Sequence, residues 1–497
     1  MWKRRTTGET CYGSLVRCIG ARAVLAVATM SVATVPHGAA NAETLHDALR
    51  SAYRFNPQLD SERAILRATD EGVPQAKSNY RPSVSFSADS AVVQTNLRPD
   101  SPPDEGRSYP AGYSINLNQQ IFRGFRTRNA VNAAEARVRA GREILRSTEQ
   151  SVLLSAVAAY MNVVRDAAIV LLREGNVRVL SRELKATQDR FAIGELTSTD
   201  VAQARARRAG GAFDLEQAQA NLKASRANYE RIIGHQPSRL VGASPPLRLL
   251  PKGLAEARQW AERENPNVVA ALYNEQAARF DVNEVAGELL PTFNLDASYS
   301  NLYTGGGDLQ TTQTETGIVI GTLTVPLYQR GAVSSRVRQA KHVHVSAIQL
   351  IEQARTEARE SAVAAWAQLK ASRAQVKFAQ SQIEANKLAL AGVRGEEKVG
   401  QRTVIDVLDA ELELVTSRQD LVSVRRDLVV NAYTVLAATG RFTAQNIGLA
   451  SQIYDPEAHY SEVRRKWSGI SITHADGRRE HIQAQDKGRS RLRRVRP

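Results

Sequence analysis

The chain has 497 residues, 42% of them hydrophobic, a net charge of +15, and two cysteines, Cys11 and Cys18. With no cysteine beyond residue 18, disulfides, thiolate catalysis and cysteine-ligated metal are excluded from the body of the chain. The charge is no nucleic-acid footprint: residues 1–42 hold five basic and one acidic residue and residues 455–497 hold eleven and six, which leaves +6 spread over the rest. Lys3, Arg4, Arg5, Arg17 and Arg22 make a basic leader, followed by AVLAVATMSVATV (23–35), an apolar run too short to span a membrane. Ala40-Asn41-Ala42 is a small-x-small cleavage site, so residues 1–42 are expected to be a signal peptide cleaved after Ala42, with Glu43 as the mature N-terminus. Neither cysteine follows that site, so no lipid anchor is expected.

Beyond the leader the chain repeats itself with a period near 207 residues. YRFNPQL (53–59) matches RENPNVV (263–269), and YRPSVSFSA (80–88) matches LLPTFNLDA (289–297), at an offset of 209. IFRG (121–124) matches LYQR (327–330), Tyr160 matches Trp366, FAIGELTSTDV (191–201) matches KVGQRTVIDV (398–407), and Gly234 matches Gly440, at an offset of 206. The units are 43–245 and 246–450, and residues 451–497 are a basic tail expected to be disordered.

Each unit opens with a helix of about thirty residues (45–78; 254–288), stopped by Pro82 or Pro291. Alternation with period two predicts strands over 83–94 and 112–122 in the first unit, and over 292–303 and 317–328 in the second. About ten residues suit a tilted membrane strand, and Tyr113, Phe122, Phe125, Tyr299, Tyr303 and Tyr328 near the strand ends suit a membrane interface. Residues 96–110 and 305–316 are predicted as polar loops. Long helical patterns follow, 127–190 and 333–393, each a rod of roughly 90 Å at ~1.5 Å per residue. Gly194 and Gly400 end them, and second helices return over 199–234 and 404–439. Such helices must pack lengthwise on partners. The most apolar stretch, 151–172, is interrupted by Asn162, Arg165 and Asp166 and reads as a buried helix. Four strands cannot close a membrane barrel, and open edges are intolerable in lipid, so other copies must complete it. Three chains would supply twelve strands; the pattern alone leaves dimer and tetramer open.

Taken in order and at duplicated spacing, these residues resemble the TolC family of outer-membrane channels. The resemblance covers 43–450 and rests on the duplicated unit, the step after the strands (IFRG; LYQRG), and the turns FAIGELTSTDVAQARA and KVGQRTVIDVLDAELE. It implies a fold that is mainly α with membrane β. In it a homotrimeric twelve-stranded β-barrel crosses the outer membrane, among its lipids, and continues as a periplasmic α-helical barrel. It also implies docking, through a periplasmic adaptor, on an inner-membrane ABC or proton-driven transporter, to export small toxic compounds or proteins by type I secretion. No cofactor and no nucleic-acid partner are implied. The turns would form the periplasmic entrance, with Asp406 and Asp409 as gate rings, and with Arg402 latching to Thr199 and Asp200. The chain departs from the family at Glu397, where the latch has a tyrosine; Glu397 and Asp200 would repel unless one is protonated or bridged. Gln203 stands where the second unit has Asp409, so only that unit would supply a double ring. The missing anchor cysteine resembles members serving protein secretion or broad efflux more than lipidated drug-efflux members.

As a catalytic pair, Asp406 and Asp409 would need a pocket that drives their pKa values apart and a nucleophile, neither of which the helical context offers, so no enzyme is expected. His342 and His344, two apart, fall on different faces of a helix and lack metal-ligand spacing. The alternative is a non-channel periplasmic coiled-coil adaptor or structural protein. Such a protein would carry compact small-barrel domains in place of the ten-residue hairpins.

Overall fold

The computed structural model describes residues 42–96, 105–306, 309–449, 453–474 and 479–480; residues 1–41 of the expected signal peptide lie outside them. In chain order the first unit holds α1 (Leu45–Phe55), α2 (Pro57–Asp70), α3 (Gly72–Ser78), β1 (Ser83–Ser90), β2 (Val93–Asn96), β3 (Glu105–Ser108), β4 (Ala111–Arg123), α4 (Arg126–Ala192) and α5 (Ser198–Ile233). The second holds α6 (Leu254–Glu264), α7 (Pro266–Ala286), β5 (Thr292–Gly306), β6 (Leu309–Thr324), α8 (Ala332–Lys398) and α9 (Val404–Ala438). A short helix, α10 (Pro456–Val463), and a two-residue ribbon, β7 (Ile472–Thr473) with β8 (Arg479–Glu480), follow.

The two opening helices are not continuous, because each breaks at its Asn-Pro step. Pro57 and Pro266 take the first helical position, and Asn56 and Asn265 cap from outside, their Oδ1 accepting from Gln58 N (3.0 Å) and Asn267 N (2.9 Å). Each asparagine also donates from Nδ2 to the end of its unit's return helix, Asn56 to Ile232 O and Asn265 to Ala438 O, both at 3.0 Å. The first unit breaks again at Glu71, which leaves Pro74 in the first turn of α3, where its missing N–H costs nothing.

The strands differ from expectation where chemistry intervenes. The predicted strand 83–94 splits at Ala91-Val92 into β1 and β2, and β2 pairs with β3 inside the region predicted as loop. β6 starts at Leu309, so most of 309–316 is hairpin strand, and it stops at Thr324 because Pro326 cannot donate to a ladder. The main sheet is antiparallel in the order β1-β4-β5-β6, so the hairpins of the two units join through β4 and β5.

Two consecutive residues with positive φ link sheet to rod in both units, Gly124-Phe125 (60°, 60°) and Arg330-Gly331 (55°, 76°). Each pair has one glycine, at opposite positions, so Phe125 and Arg330 each bear a left-handed strain of roughly 1 kcal/mol. α4 and α8 each run 67 residues, roughly 100 Å at ~1.5 Å per residue. α5 and α9 return antiparallel along them.

The core lies midway along the rods. Leu153, Ala156, Val157 and Tyr160 of α4 are buried against Leu45 and Leu49 of α1, Tyr229 of α5, Leu369 of α8 and Leu436 of α9. The Tyr160 hydroxyl meets the Val241 backbone, donating to O (2.7 Å) and accepting from N (3.0 Å), and its repeat mate Trp366 packs on the same core. α4 is long and apolar enough to cross a membrane by composition, but half of its most apolar window is buried inside the chain. Within the tail, expected to be disordered, α10 docks on the first unit through His459 Nδ1–Asp70 Oδ2 (3.0 Å), Arg142–Glu457 (2.7 Å) and Arg464–Glu135 (3.2 Å), while residues 451–452, 475–478 and 481–497 lie outside the described residues.

Candidate functional site

Two regions carry functional geometry: the sheet at one end of the rods and the helix turns at the other. In the sheet, period-two alternation puts Val84 and Phe86 of β1, Tyr113, Ile115 and Leu117 of β4, Phe293, Leu295 and Tyr299 of β5, and Val319 and Leu323 of β6 on one face. The other face carries Ser83, Ser85, Ser87, Ser114, Asn116, Asn118, Asn294, Asp296 and Ser298, with Ile318 and Ile320 as apolar exceptions. Polar side chains bond across it, Asn118 Nδ2 to Asp296 Oδ1 (2.5 Å) and Ser87 Oγ with Ser114 Oγ (2.9 Å).

The apolar face is open in one chain: Phe86 is 67% exposed, Val319 70% and Leu323 64%. It ends at the Tyr113–Tyr299 pair (6.4 Å between rings), beyond which Asn301 and Gln313 both donate to Glu315 (3.1 and 3.0 Å). At the other end Phe122 and Phe125 meet edge to face at 5.2 Å. From Phe293 to Tyr299 the strand rises roughly 20 Å along its own axis at ~3.4 Å per residue, or roughly 15 Å of height at the ~40° tilt of a barrel strand. β1 and β6 are outer strands whose free edges the described residues leave unpaired.

At the far end both hairpins turn in the same way. Gly194 and Gly400 take φ of +83° and +79° where the long helices stop, and α5 and α9 begin with capping boxes. Asp200 Oδ2 accepts from Thr197 N (2.9 Å) and Oγ1 (2.7 Å), and Asp406 Oδ2 from Thr403 N (2.9 Å) and Oγ1 (2.8 Å). These bonds hold both carboxyls below the usual carboxylate range: for Asp200 the Thr197 side chain counts most and then its backbone, and for Asp406 the Thr403 backbone and then its side chain. Sequence reasoning missed this capping role, although T-x-x-D before each helix signals it.

Val407 packs toward Ile383 and Leu390 of α8, and Leu408 toward Leu180 of α4 and Ala204 of α5. Asp406 and Asp409 therefore share the opposite face of α9. Asp409 is ion-paired with Arg207 of α5, a residue the sequence reading did not single out.

Glu397 and Asp200 do not face off as two bare carboxylates. Arg190 at the end of α4 bonds Glu397 Oε1 (2.5 Å) and Glu195 Oε2 (3.1 Å), while Asp200 is taken up by Thr197. The Glu397 bond is the first cause of a raised Arg190 pKa, and the Glu195 bond the second. Arg402 Nε bonds Glu396 Oε2 (2.9 Å) inside its own hairpin, and Thr199 is exposed with no side-chain hydrogen bond among the described residues. Within one chain, then, Arg402, Thr199 and Asp200 are not brought together. His344 meets Glu275 of α7 (2.6 Å), and no group of three or more metal-ligating side chains occurs among the described residues.

A family model described as outer membrane efflux protein matches residues 48–235 and 257–441. The chain is 40% identical over 456 residues to the outer membrane efflux protein BepC of Brucella suis biovar 1 (strain 1330), covering 92% of this chain and 98% of that one. It is 24% identical over 428 residues to the outer membrane protein TolC of Escherichia coli (strain K12), covering 82% and 84%. Among solved structures, the Campylobacter jejuni CmeC outer membrane channel superposes with a TM-score of 0.71 at 17% identity, over 85% of this chain and 89% of that one.

Proposed function

The chain belongs to the outer membrane efflux protein family, and from that premise we propose that three copies form a channel-tunnel that carries cargo out of the cell from a periplasmic entrance. Members of this family are transport channels rather than enzymes, homotrimers that work with adaptor proteins and inner-membrane transporters. The observation that carries the reading is the four-stranded sheet with one apolar and one polar face and two open edges, set at the end of roughly 100 Å of helix. Three such sheets joined edge to edge make twelve strands, with the apolar faces toward lipid and the serine and asparagine face toward the lumen. A soluble adaptor would cover the apolar face of such a sheet with its own core, whereas here that face is open in one chain.

At the entrance, Asp406 and Asp409 would stand as carboxylate rings around the mouth, and Arg402 would reach Thr199 and Asp200 of a neighbouring copy. Support for the rings is the face of α9 that points away from its packed side; support for the latch is the failure of one chain to bring its members together. Small toxic compounds are the first cargo class to test, because the relative at 40% identity is named an efflux protein. Protein secretion through an ABC transporter is the second.

Purified outer membranes should contain the protein as a heat-modifiable trimer that forms conducting pores in planar bilayers. Recovery as a soluble or inner-membrane-anchored monomer would overturn the channel reading. The double substitution Asp406→Ala/Asp409→Ala should lower cation preference and divalent-cation block; unchanged ion selectivity would refute the rings. Co-elution with the adaptor and transporter encoded in the same genome, followed by drug-susceptibility and secretion assays of the deletion strain, separates the cargo classes.

A further inference from the structure

Asp409 does not stand alone on its face of α9. The repeat offset of 206 lays Gln203, Arg205 and Arg207 of α5 over Asp409, Glu411 and Glu413 of α9, so one stretch of the repeat is basic in the first unit and acidic in the second. The fold brings these oppositely charged copies together. An Arg207 Nη2 bonds Asp409 Oδ1 across the gap between α5 and α9, while Arg394 of α8 holds Glu411. Asp406 has a different environment. Its Oδ2 closes the capping box with Thr403, a neutral partner, and the neighbouring cation Arg402 is itself bonded to Glu396.

The Arg207–Asp409 pair does not serve the core. Its side chains are 38% and 55% exposed, and α9 is anchored by Val407 and Leu408 on the opposite side. Exposed pairs of this kind add little to stability. Their effect is on the local field, where a guanidinium in contact with a carboxylate cancels most of what the carboxylate projects into the opening.

We propose that Arg207 is a specificity-determining residue of the entrance: it neutralises the Asp409 ring, so the mouth presents one uncompensated carboxylate ring, that of Asp406, instead of two. The proposal rests on the reading of these turns as the entrance. Its consequence concerns cargo class. A double carboxylate ring concentrates cations and repels anions, whereas a singly charged ring admits anionic and zwitterionic cargo more readily.

The test uses the full-length channel in planar bilayers, reading the reversal potential in a KCl gradient and the Mg²⁺ concentration for half-block. Arg207→Gln should raise the cation-to-anion permeability ratio about threefold or more, and lower the half-blocking Mg²⁺ concentration by a similar factor. Asp409→Asn should shift selectivity the other way, toward anions. The double variant R207Q/D409N, which removes both charges, should return close to the parent channel. Unchanged selectivity in Arg207→Gln, or a double variant that behaves like Asp409→Asn, would overturn the proposal. If Arg207→Gln fails to appear as a heat-modifiable trimer, comparison of the double variant with Asp409→Asn decides the matter alone. Asp406→Asn separates the two levels of inference. A shift there with none in Arg207→Gln defeats the role of Arg207 only, and no shift in Asp406→Asn, Asp409→Asn or Arg207→Gln defeats the entrance reading and this proposal together.

Discussion

If the turns form the proposed entrance, cutting the bond between Arg190 and Glu397 should loosen its closed state. Arg190 lies at the end of α4 and Glu397 at the end of α8, so the 2.5 Å contact joins the tips of the two hairpins of one chain. The tips cannot part by much more than ~1 Å without losing it. Arg190 is 40% exposed and Glu397 18%, so solvent screens the pair and its worth is that of a good surface ion pair, about 0.5–1 kcal/mol. If three copies open together, the closed state loses about 1.5–3 kcal/mol, which raises the open-to-closed ratio roughly 10- to 150-fold. Single-channel recording measures this directly as open probability and mean conductance. Glu397→Gln is the cleaner variant, because it leaves the Arg190–Glu195 bond (3.1 Å) in place. Arg190→Gln should match or exceed it, and the double variant should add nothing beyond Arg190→Gln. The difference between parent and variant should shrink between 0.1 and 1 M KCl as the screening length shortens. Unchanged open probability in both single variants, or full additivity in the double, would refute the reasoning.

Arg402→Ser should raise conductance if Arg402 reaches a neighbouring copy, while Glu396→Gln, which breaks only the contact inside the hairpin, should not; equal effects would confine Arg402 to its own chain. Asn56→Ala removes a helix cap and orphans the Ile232 carbonyl, a loss of about 2–3 kcal/mol. Asn265→Ala removes the same two bonds in the second unit and should cost a similar amount, read as a lower dissociation temperature of the purified oligomer. Asn56→Asp keeps the cap and loses the donor, so it should fall between parent and alanine variant. Glu43 supplies a pH signature. Burial pushes its carboxyl up, but bonds from Tyr229, His235 and Ser238 outweigh this and leave it below its ordinary value of 4.5. Its stabilising contribution is therefore complete above about pH 5 and is lost as pH falls toward the lowered folded value. Melting curves of the parent should drop more steeply as pH falls below about 5 than those of Glu43→Gln, and parallel curves would sink this assignment.

Most of the fold was legible because the repeat let each element be read twice. Long helices 67 residues in length have periodicity to spare, and Gly194 and Gly400 mark their ends by the positive φ they adopt. The breaks at Asn56-Pro57 and Asn265-Pro266 were visible as residues but not as breaks. Proline at a first helical position continues one helix and begins another equally well, and what decides here is the asparagine side chain reaching a carbonyl over 170 residues away. The length of β6 was hidden because TTQTET is polar on both faces, which is what a strand standing clear of lipid requires. Docking of α10 depends on Asp70, Glu135 and Arg142, none of which announces a partner in a basic tail. At the turns, the aspartates were found for their spacing, while Arg207 and Arg190 were passed over, because an arginine on a helix surface has no local signal for the carboxylate it will meet.

The ion pairs at the turns go with a difference in charge between the two units. Equivalent positions in a duplicated chain start with the same charge, so a residue and its repeat mate cannot attract across the boundary between units. Geometry at the turns stays common to both: glycine at the stop, threonine at the cap, aspartate three residues on. Charge does not. Arg190 stands where the second unit has Glu396, and Arg207 where it has Glu413. Those substitutions let α4 hold α8 through Arg190–Glu397 and α5 hold α9 through Arg207–Asp409. Two further variants separate the roles of shape and charge. Thr403→Ala removes the cap side chain that is common to both turns; it should fray the start of α9 by about 1 kcal/mol and leave ion selectivity close to that of the parent, since no charge is lost. Arg207→Glu restores like charge at the repeat positions; it should leave the caps intact, drive α5 and α9 apart at the tip, and shift both conductance and selectivity. A selectivity change with Thr403→Ala as large as that with Arg207→Glu would show that shape and charge are not separable at this mouth.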